Sequence, residues 1–346
     1  MKNSDQAHFY KIIRKLPDQI RESAELVQRI DLSLLPDSFD LVLLTGMGGS
    51  AITGDLMAAF LQNTVTIPFL VNRNYTLPGF VNKRSLVLAS SYSGNTEETL
   101  AATQVAVERG ATVIALSSGG KLTDFAREKN LHFIQIPDGL PPRQALGYLF
   151  FPFFYLLEQM GLVSGIQSEV SETIEVLQEL LEQNDPQKSH SHNLCNTIAQ
   201  KLYEKIPVIY TAAEHLAPVT VRWRNQLNEN AKVLAFSNVF PELNHNEIMG
   251  WEAKRSVLEC FSILLLRDSG EAARNRKRLE ISRDIWRKNN IPIFEVFGKG
   301  KSKLARMFSQ IYIGDWVSYY LALLYGKDPI KIGSIDTLKE ALSKID

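Results

Sequence analysis

An apolar run that ends in glycine and hydroxyl residues and passes directly into helical sequence sets strong limits on the fold of this chain. It occurs in "FDLVLLTGMGGSAITGDLMAAFL" (39–61) and again in "SLVLASSYSGNTEETLAATQVAVERG" (85–110). "ATVIALSSGGKLTDFAREKN" and "LHFIQIP" continue the alternation, and "ALGYLFFPFFYLLEQMGL" reads as a buried helix. Ahead of these units, the periodicity of residues 6–30 predicts one amphipathic helix. Strands that alternate with helices predict a parallel sheet with helices on both faces.

The second half of the chain repeats this layout. "IPVIYTAAEHLAPVTVRWRNQL" is similar to residues 39–62, "SILLLRDSGEAARNRKRLEISRDIWRKNN" to residues 85–110, and "IPIFEVFG" supplies another short strand. A polar stretch, "QNDPQKSHSHNLC" (183–195), separates the halves, and 346 residues exceed what one core usually organises. We therefore predict an α/β protein of two doubly wound domains, residues 1–182 and 183–346.

Charge and composition exclude several classes of partner. The chain has 38 basic and 38 acidic residues, so no net field attracts nucleic acid or an anionic membrane. No apolar stretch reaches the ~20 residues of a membrane span, and "MKNSDQAHFYKIIRKL" lacks the apolar centre of a signal peptide. We expect a cytoplasmic protein whose partner is a small molecule.

Metal and cofactor binding are also not expected. Cys195 and Cys260 form no CxxC motif and are too few for a disulfide framework. His190, His192 and Cys195 have ligand-like spacing, but they lie in the polar stretch and lack a clear fourth ligand. The expectation is therefore an enzyme or binding protein without metal or cofactor.

Two loops of the first half carry the pattern of an anion site. In a doubly wound sheet, ligands lie at the carboxyl ends of the strands, where helix N-termini expose backbone N–H groups. "GMGGS" (46–50) allows close backbone approach, and the second loop places hydroxyls around Gly94 and Asn95. The candidate phosphate-binding residues are Gly48, Gly49, Ser50, Ser91, Ser93 and Thr96. The alternative is that the serines and threonines cap two helices. In the second half, "RDSGEAARNRK" replaces the second loop, so we expect no phosphate site there.

A dinucleotide site is a competing interpretation of the first loop. "GMGGSA" fits the pattern GxGxxA after a strand, but this motif alone is weakly specific. The carboxylate expected roughly 20 residues later is replaced by Asn72 and Arg73. NAD is disfavoured by this substitution, whereas Arg73 leaves an NADP-dependent dehydrogenase open.

Candidate acid–base residues are concentrated in "NENAKVLAFSNVFPELNHNEIMGW" (228–251), which contains Glu229, Glu242, His245 and Glu247. Polar clusters of this kind are typical of a cleft wall. The alternative is that Glu229 is a solvated helix residue and His245 an ordinary loop histidine. Arg143 follows a double proline in "LPPRQALGYLF" and either binds an oxyanion or caps a helix.

Four segments together resemble the bifunctional phosphoglucose/phosphomannose isomerases, which are built from two sugar isomerase (SIS) domains. They are "GMGGSAITGD", "SSYSGNTEET", "PPRQALGYLF" and residues 228–251. The first two are shared by many SIS proteins, whereas the other two are specific to the isomerase branch. The resemblance covers nearly the whole chain and implies interconversion of glucose 6-phosphate, and possibly mannose 6-phosphate, with fructose 6-phosphate.

The resemblance also implies the roles of single residues. Ser50, Ser91, Ser93 and Thr96 would bind the phosphate, and Glu229 would be the base that moves a proton between C2 and C1 through a cis-enediol. His245 would open the sugar ring, Arg143 would stabilise the enediolate, and Lys339 in "IDTLKEAL" matches a lysine near the family's C-terminus. A homodimer with shared active sites is implied as well. Two further alternatives are a phosphosugar-sensing SIS regulator without catalysis, which would have no need of Glu229, Arg143 and His245, and an amidotransferase-type SIS enzyme, which would need a nitrogen source.

Overall fold

The computed structural model describes residues 4–28, 30–33, 35–187 and 193–344. They form two compact units. The first unit comprises Lys15–Leu177 and Gly300–Ala305, and the second takes its described residues from Met1–Arg14, Gln178–Lys299 and Arg306–Asp346. The domain boundary predicted between residues 182 and 183 separates the two sequence repeats, and it stays a prediction.

The strands are β1 (Leu41–Thr45), β2 (Phe69–Asn72), β3 (Ser85–Ser90), β4 (Thr112–Ser117), β5 (His132–Gln135), β6 (Ile206–Thr211), β7 (Phe236–Val239), β8 (Phe261–Arg267) and β9 (Ile293–Phe297). The α-helices are α1 (Ser4–Ile13), α2 (Leu16–Val27), α3 (Gly48–Leu61), α4 (Glu97–Glu108), α5 (Gly120–Glu128), α6 (Leu146–Gln159), α7 (Ile166–Asn184), α8 (Leu194–Leu202), α9 (Ala217–Gln226), α10 (Arg255–Leu258), α11 (Ala273–Lys288), α12 (Lys303–Leu324) and α13 (Gly333–Leu342).

The first unit is built on a parallel sheet in the order β2-β1-β3-β4-β5. β1 and β3 are buried along their whole length, as expected for strands that helices cover on both faces. The chain leaves β1 for one edge and β3 for the other, so the switch point lies between these two neighbours. The Gly- and Ser-rich loops follow β1 and β3, and the sheet therefore brings them together.

The second unit contains a parallel sheet in the order β7-β6-β8-β9, which repeats the first four positions of the other sheet. Its core includes the side chains of Tyr210, Trp251 and Trp286, whose rings contact one another. The fold class and the internal repeat predicted from sequence are confirmed.

One prediction about the N-terminal region is wrong. The periodicity of residues 6–30 predicts one amphipathic helix, whereas the structure has two, α1 and α2. Pro17 lies in the first turn of α2, where its missing N–H is not needed by the helix, so the proline begins a new helix instead of continuing the first. In the described part of the chain, no helix combines the length and apolarity needed to cross a membrane.

Candidate active site

The first glycine-rich loop leads from β1 into the N-terminus of α3. Gly48 has a φ of +50°, which favours glycine, and a Cβ on Gly46 would lie 2.8 Å from the carbonyl oxygen of Ser90. The loop therefore contacts the end of β3 directly. Ser50 is buried within the first turn of α3, whose N-cap position is occupied by Met47. Ser50 is thus not the N-cap of this helix.

The second loop leads from β3 into α4 and has a tight backbone path. Gly94 has a φ of +68°, and a Cβ there would lie 1.7 Å from the Gly119 carbonyl oxygen, so only glycine fits. The Ser91 and Thr96 hydroxyl oxygens are 2.9 Å apart, with Ser91 buried and Thr96 half-buried. Ser93 is exposed, and its hydroxyl accepts from the Asn95 N–H at 3.3 Å.

Thr96 occupies the N-cap position of α4 but makes no side-chain capping hydrogen bond. Its hydroxyl bonds Ser91 instead, so the geometry differs from the helix-cap alternative at this residue. The first turns of α3 and α4 thus present backbone N–H groups at the edge where β1 and β3 end, and the helix dipoles add positive potential there. This arrangement suits a phosphate group.

Arg143 lies in a 3₁₀ turn, Pro142–Gln144, that packs against the first loop. A Cβ on Gly49 would lie 3.0 Å from the Pro142 carbonyl oxygen, and the Arg143 side chain is only 5% exposed. The buried side chain of Gln19 holds the turn from behind: its Nε2 donates to the Gln144 carbonyl at 2.8 Å, and its Oε1 accepts from the Gly147 N–H at 3.0 Å. Gln19 was not identified from the sequence, since no local pattern marks a contact between residues 125 positions apart.

Tyr92 is a second residue of this region that the sequence did not single out. Its hydroxyl accepts from the Leu140 N–H at 2.9 Å, which fixes the segment just before Arg143 to the second loop. Burial raises the pKa of the Tyr92 hydroxyl, so this group stays neutral near pH 7. The first unit therefore brings together both loops and the turn that carries Arg143.

Arg73, which keeps the NADP alternative open in the sequence, contacts the carboxylate of Asp55 on α3. The neighbouring Asn72 donates from Nδ2 to the Thr45 hydroxyl at 3.2 Å and to the Asn74 carbonyl at 3.0 Å. Both side chains thus have partners within the protein. The contacts give no support to a 2′-phosphate site.

In the second unit, Glu229 lies in a π-helical turn, Leu227–Ala231, that continues α9. π-Helical turns are rare and are frequent at functional sites. Glu229 is half-buried and lines a pocket of about 550 Å³. One wall of the pocket is formed by Asn228, Glu229, Lys232, Val233 and Leu234, and the other by Lys331, Ile332, Gly333, Ser334 and Ile335.

His245 ends a 3₁₀ turn, Glu242–His245, and its side chain is exposed. It is not one of the described residues that line the Glu229 pocket. The two other carboxylates of the segment have structural partners: Glu242 accepts from Asn246 Nδ2 at 2.8 Å, and Glu247 accepts from the Tyr210 hydroxyl and from Asn238.

Lys339 lies on α13 and is exposed. It follows Ile335 by four residues, which places it one turn further along the helix face that meets the Glu229 pocket. The structure thus associates Lys339 with the same helix as one wall of that pocket.

The loop after β8, which corresponds to the Ser91 loop of the first unit, is filled by ion pairs. Arg267 donates from Nε to Glu271 at 2.8 Å, and Arg306 Nε donates to Asp268 at 2.8 Å. His215 Nε2 lies 3.5 Å from the same Asp268 carboxylate. Burial alone would raise the pKa of Asp268, but the nearby His215 and the hydrogen bonds from Arg306 and the Gly270 N–H outweigh it and hold the pKa well below its usual range.

The histidines of the proposed ligand-like cluster, His190 and His192, lie outside the described residues. Cys195 is buried, and desolvation raises the pKa of its thiol, which makes it a poor ligand or nucleophile. Among the residues that the structure describes, no group of three or more His, Cys, Asp or Glu side chains is arranged to hold a metal ion.

Comparison with known sequences decides the family. Residues 40–138 match the SIS domain, and residues 191–342 match the bacterial phospho-glucose isomerase C-terminal SIS domain. The chain is 42% identical to a bifunctional phosphoglucose/phosphomannose isomerase of Caldicellulosiruptor bescii, over 97% of this chain and 99% of that protein. The chain belongs to the bifunctional phosphoglucose/phosphomannose isomerase family. A second relative of the same name, from Aquifex aeolicus, is 35% identical over 88% of this chain and 90% of its own.

Solved structures place this isomerase-family chain among SIS folds. A hypothetical protein from Thermus thermophilus superposes with a TM-score of 0.77 at 15% identity, covering 99% of this chain and 91% of that one. Glucosamine-6-phosphate deaminase from Thermotoga maritima gives a TM-score of 0.68 at 18% identity, covering 93% of this chain and 97% of its own. At such identities, the likeness concerns the fold alone.

Proposed function

We propose that this chain is an aldose–ketose isomerase that interconverts glucose 6-phosphate and mannose 6-phosphate with fructose 6-phosphate. The observation that carries the proposal is the 42% identity to a bifunctional isomerase along nearly the whole length of both proteins. The two helix N-termini at the switch point of the first sheet support it, because every substrate in this set carries a terminal phosphate.

The phosphate is assigned to the first unit. Backbone N–H groups of Gly48 and Gly49 and the hydroxyls of Ser50, Ser91, Ser93 and Thr96 are proposed to bind it. This contact is remote from the reacting carbons and therefore does not break bonds. It positions C1 and C2 of the sugar beside the acid–base groups and thereby supplies the proximity term of catalysis.

Proton transfer is assigned to Glu229. Isomerisation moves one proton between C2 and C1, and a single carboxylate can remove it, hold it while a cis-enediol forms, and return it to the neighbouring carbon. Such acid–base catalysis is worth roughly 10² to 10⁴ in rate. The position of Glu229 on a pocket wall suits this role because a sugar bound in the pocket would lie against this residue.

Three cationic or titratable residues complete the proposed set. Arg143, fixed by its buried turn, stabilises negative charge on the enediolate oxygen. His245 opens the sugar ring as an acid or base, and Lys339 is the lysine contributed from near the C-terminus. Catalysis needs no metal or cofactor in this scheme, since every proton and charge is handled by side chains.

The wider context is proposed on the same basis. The functional division lies between residues 182 and 183, with the phosphate site in the N-terminal domain and Glu229 and His245 in the C-terminal one. The protein acts as a homodimer in the cytoplasm and serves glycolysis and gluconeogenesis. His245 is exposed and does not line the Glu229 pocket, which supports a role in the site of a second subunit.

The experiment that tests the function offers glucose 6-phosphate and mannose 6-phosphate separately and follows fructose 6-phosphate by a coupled assay. We expect turnover of glucose 6-phosphate and mannose 6-phosphate, persisting after treatment with a chelator. Phosphate binding without turnover of either sugar would favour the sensing alternative, and a thermal shift on adding NADPH would favour the dehydrogenase.

A further inference from the structure

Lys232 ends the π-helical turn that carries Glu229, and its backbone conformation is unusual for lysine. Its φ and ψ are 60° and 36°, in the left-handed region, and its N–H donates to the Leu227 carbonyl. Glycine is the residue that closes helices in this conformation without steric cost. A lysine at this position therefore carries a steric cost that glycine would avoid.

The Lys232 ammonium joins two separate backbone segments. It donates to the carbonyl oxygen of Glu229, three residues earlier, and to the carbonyl oxygen of Asp328 at 3.0 Å, 96 residues away. The Asp328 side chain in turn accepts from the Ile330 N–H at 2.9 Å and pairs with Lys331 at 3.6 Å. The ammonium therefore bridges the Glu229 turn and the segment that leads into α13.

These two segments are the two walls of the 550 Å³ pocket. One wall is the Glu229 turn with the residues after it, and the other begins at Lys331 and continues into α13, the helix of Lys339. α13 has no buried residue, so packing does little to fix its position. The Lys232 bridge is a specific polar link between this wall and the turn.

The opposite side of the turn is held rigidly. Asn230 is fully buried, and its Nδ2 donates to the Ser318 hydroxyl on α12 at 2.9 Å. Ser318 donates in turn to the Asp315 carbonyl at 2.7 Å. The turn is thus anchored to α12 by Asn230, while Lys232 links it to the more loosely packed wall.

We propose that Lys232 is a positioning residue of the isomerase, which fixes the C-terminal wall of the pocket, and Lys339 with it, relative to the proposed base Glu229. The proposal rests on the function proposed above. A positioning role can be distinguished from a purely structural one. If Lys232 only shaped the turn, replacing it by glycine would relieve the backbone strain and increase stability without loss of activity, whereas the bridge needs the ammonium.

The test compares Lys232→Gly, Lys232→Met and Lys232→Arg. Glycine removes both the backbone strain and the ammonium bridge, methionine removes only the ammonium, and arginine keeps hydrogen-bond donors at the end of the side chain. We expect kcat to fall by about 10- to 100-fold in the glycine and methionine variants, the scale of a small misplacement, with KM changed far less. Arginine should recover part of the loss. The glycine variant should melt no lower than the wild type.

Two controls match the two features of Lys232. Lys205→Met removes an ammonium that donates to the Glu259 carbonyl at 2.7 Å, and Glu204→Gly relieves another left-handed residue, with φ of 58°. Neither residue lines the Glu229 pocket, and both variants should keep wild-type kcat. Amide hydrogen exchange of residues 331–335 gives a readout independent of activity and should be faster in Lys232→Met.

The outcomes separate the two proposals. A stable Lys232→Gly protein with wild-type kcat and unchanged exchange at residues 331–335 would overturn the positioning role and leave the isomerase assignment intact. A wild-type protein inactive on both sugar phosphates would instead refute the proposed function, and the positioning role with it.

Discussion

At the scale of single residues, the hydroxyls of the second loop are arranged by the fold. Ser91 is buried, and its oxygen lies 2.9 Å from that of Thr96, although Thr96 occupies a position where threonine usually caps its own helix. A bound phosphate would accept from these hydroxyls and from the N–H groups of α4 together. The hydroxyls are therefore expected to contribute to anion affinity more than to helix stability.

We predict that Ser91→Ala combined with Thr96→Ala weakens the binding of phosphorylated sugars and of inorganic phosphate to a similar extent, by about 10-fold or more. Each lost hydrogen bond to a charged group is worth ~1.5–3 kcal/mol. Inhibition by inorganic phosphate measures the effect.

The matched control is Ser117→Ala with Thr123→Ala. These two hydroxyls are also 2.9 Å apart; Ser117 is the last residue of the neighbouring strand β4 and Thr123 lies on α5, and neither belongs to the proposed site. The control should lose stability and keep phosphate affinity. Unchanged phosphate inhibition in the Ser91/Thr96 variant would show that these two hydroxyls have a structural role only.

Residues that belong to a sequence motif could be predicted at this scale, whereas residues defined only by tertiary contacts could not. Gly48, Ser91 and Arg143 stand in short segments of distinctive composition. Gln19 supports the Arg143 turn from helix α2 and has no such signature, because its partners are defined by tertiary packing. The contact of Lys232 with the Asp328 carbonyl could not be predicted from the sequence for the same reason.

At the scale of elements, the corresponding loops of the two sheets contain different kinds of polar group. After β3, hydroxyls and helix N–H groups form the proposed anion site, whereas after β8 the carboxylates of Asp268 and Glu271 pair with arginines. The loop after β8 is therefore occupied by ion pairs of the protein itself.

We predict that Asp268→Asn lowers the melting temperature by several degrees at pH 7, because removing one partner of a buried ion pair costs about 3–5 kcal/mol. The pKa of Asp268 is depressed in the folded state, so its contribution to stability is complete above the unfolded pKa, near 4, and is lost as pH falls below it. The wild type should therefore lose stability below about pH 4 more steeply than the variant.

Thermal melts between pH 3 and pH 7 check this prediction. Asp40→Asn is the control, since Asp40 pairs with Arg84 at an exposed position. Such surface pairs contribute little. Parallel acid branches in the wild type and in Asp268→Asn would contradict the role assigned to the buried pair.

Most elements could be predicted from the sequence, because buried parallel strands are continuous apolar runs and the loops between them are rich in glycine. The break between α1 and α2 was missed, since both helices carry the same apolar periodicity across it. Local periodicity reports the buried face of a helix and is less sensitive to where one helix ends and the next begins.

At the scale of the whole molecule, the compact units are discontinuous in sequence. Gly300–Ala305 groups with the first unit, where the Glu172 carboxylate accepts from the N–H groups of Lys301 and Ser302. These partners are about 130 positions apart, so composition along the chain cannot reveal them. The internal repeat was visible because it follows strand periodicity, whereas the exchange of short segments leaves no periodic signal.

We predict that each active site of a homodimer combines Glu229 of one subunit with His245 of the other. Glu229→Gln and His245→Ala proteins are unfolded and refolded together. A mixed dimer with shared sites contains one intact site and one doubly damaged site, and random pairing makes half the dimers mixed, so about a quarter of wild-type activity should return.

The separate variants, refolded alone and sized as dimers, are the controls. If both residues act within one chain, every site keeps one lesion and no activity returns. Activity of the mixture no higher than the mean of the two variants would reject the shared site.

Isomerisation of fructose 6-phosphate in D₂O, followed by NMR, tests whether Glu229 carries a proton between C2 and C1. The wild type should form aldose 6-phosphate with deuterium at C2, because a carboxylate that holds the proton exchanges it with solvent in part. Glu229→Gln should bind phosphate normally and lose at least about 10² in turnover, the value of a missing general base. Retention of more than about a tenth of wild-type turnover by Glu229→Gln would contradict the account.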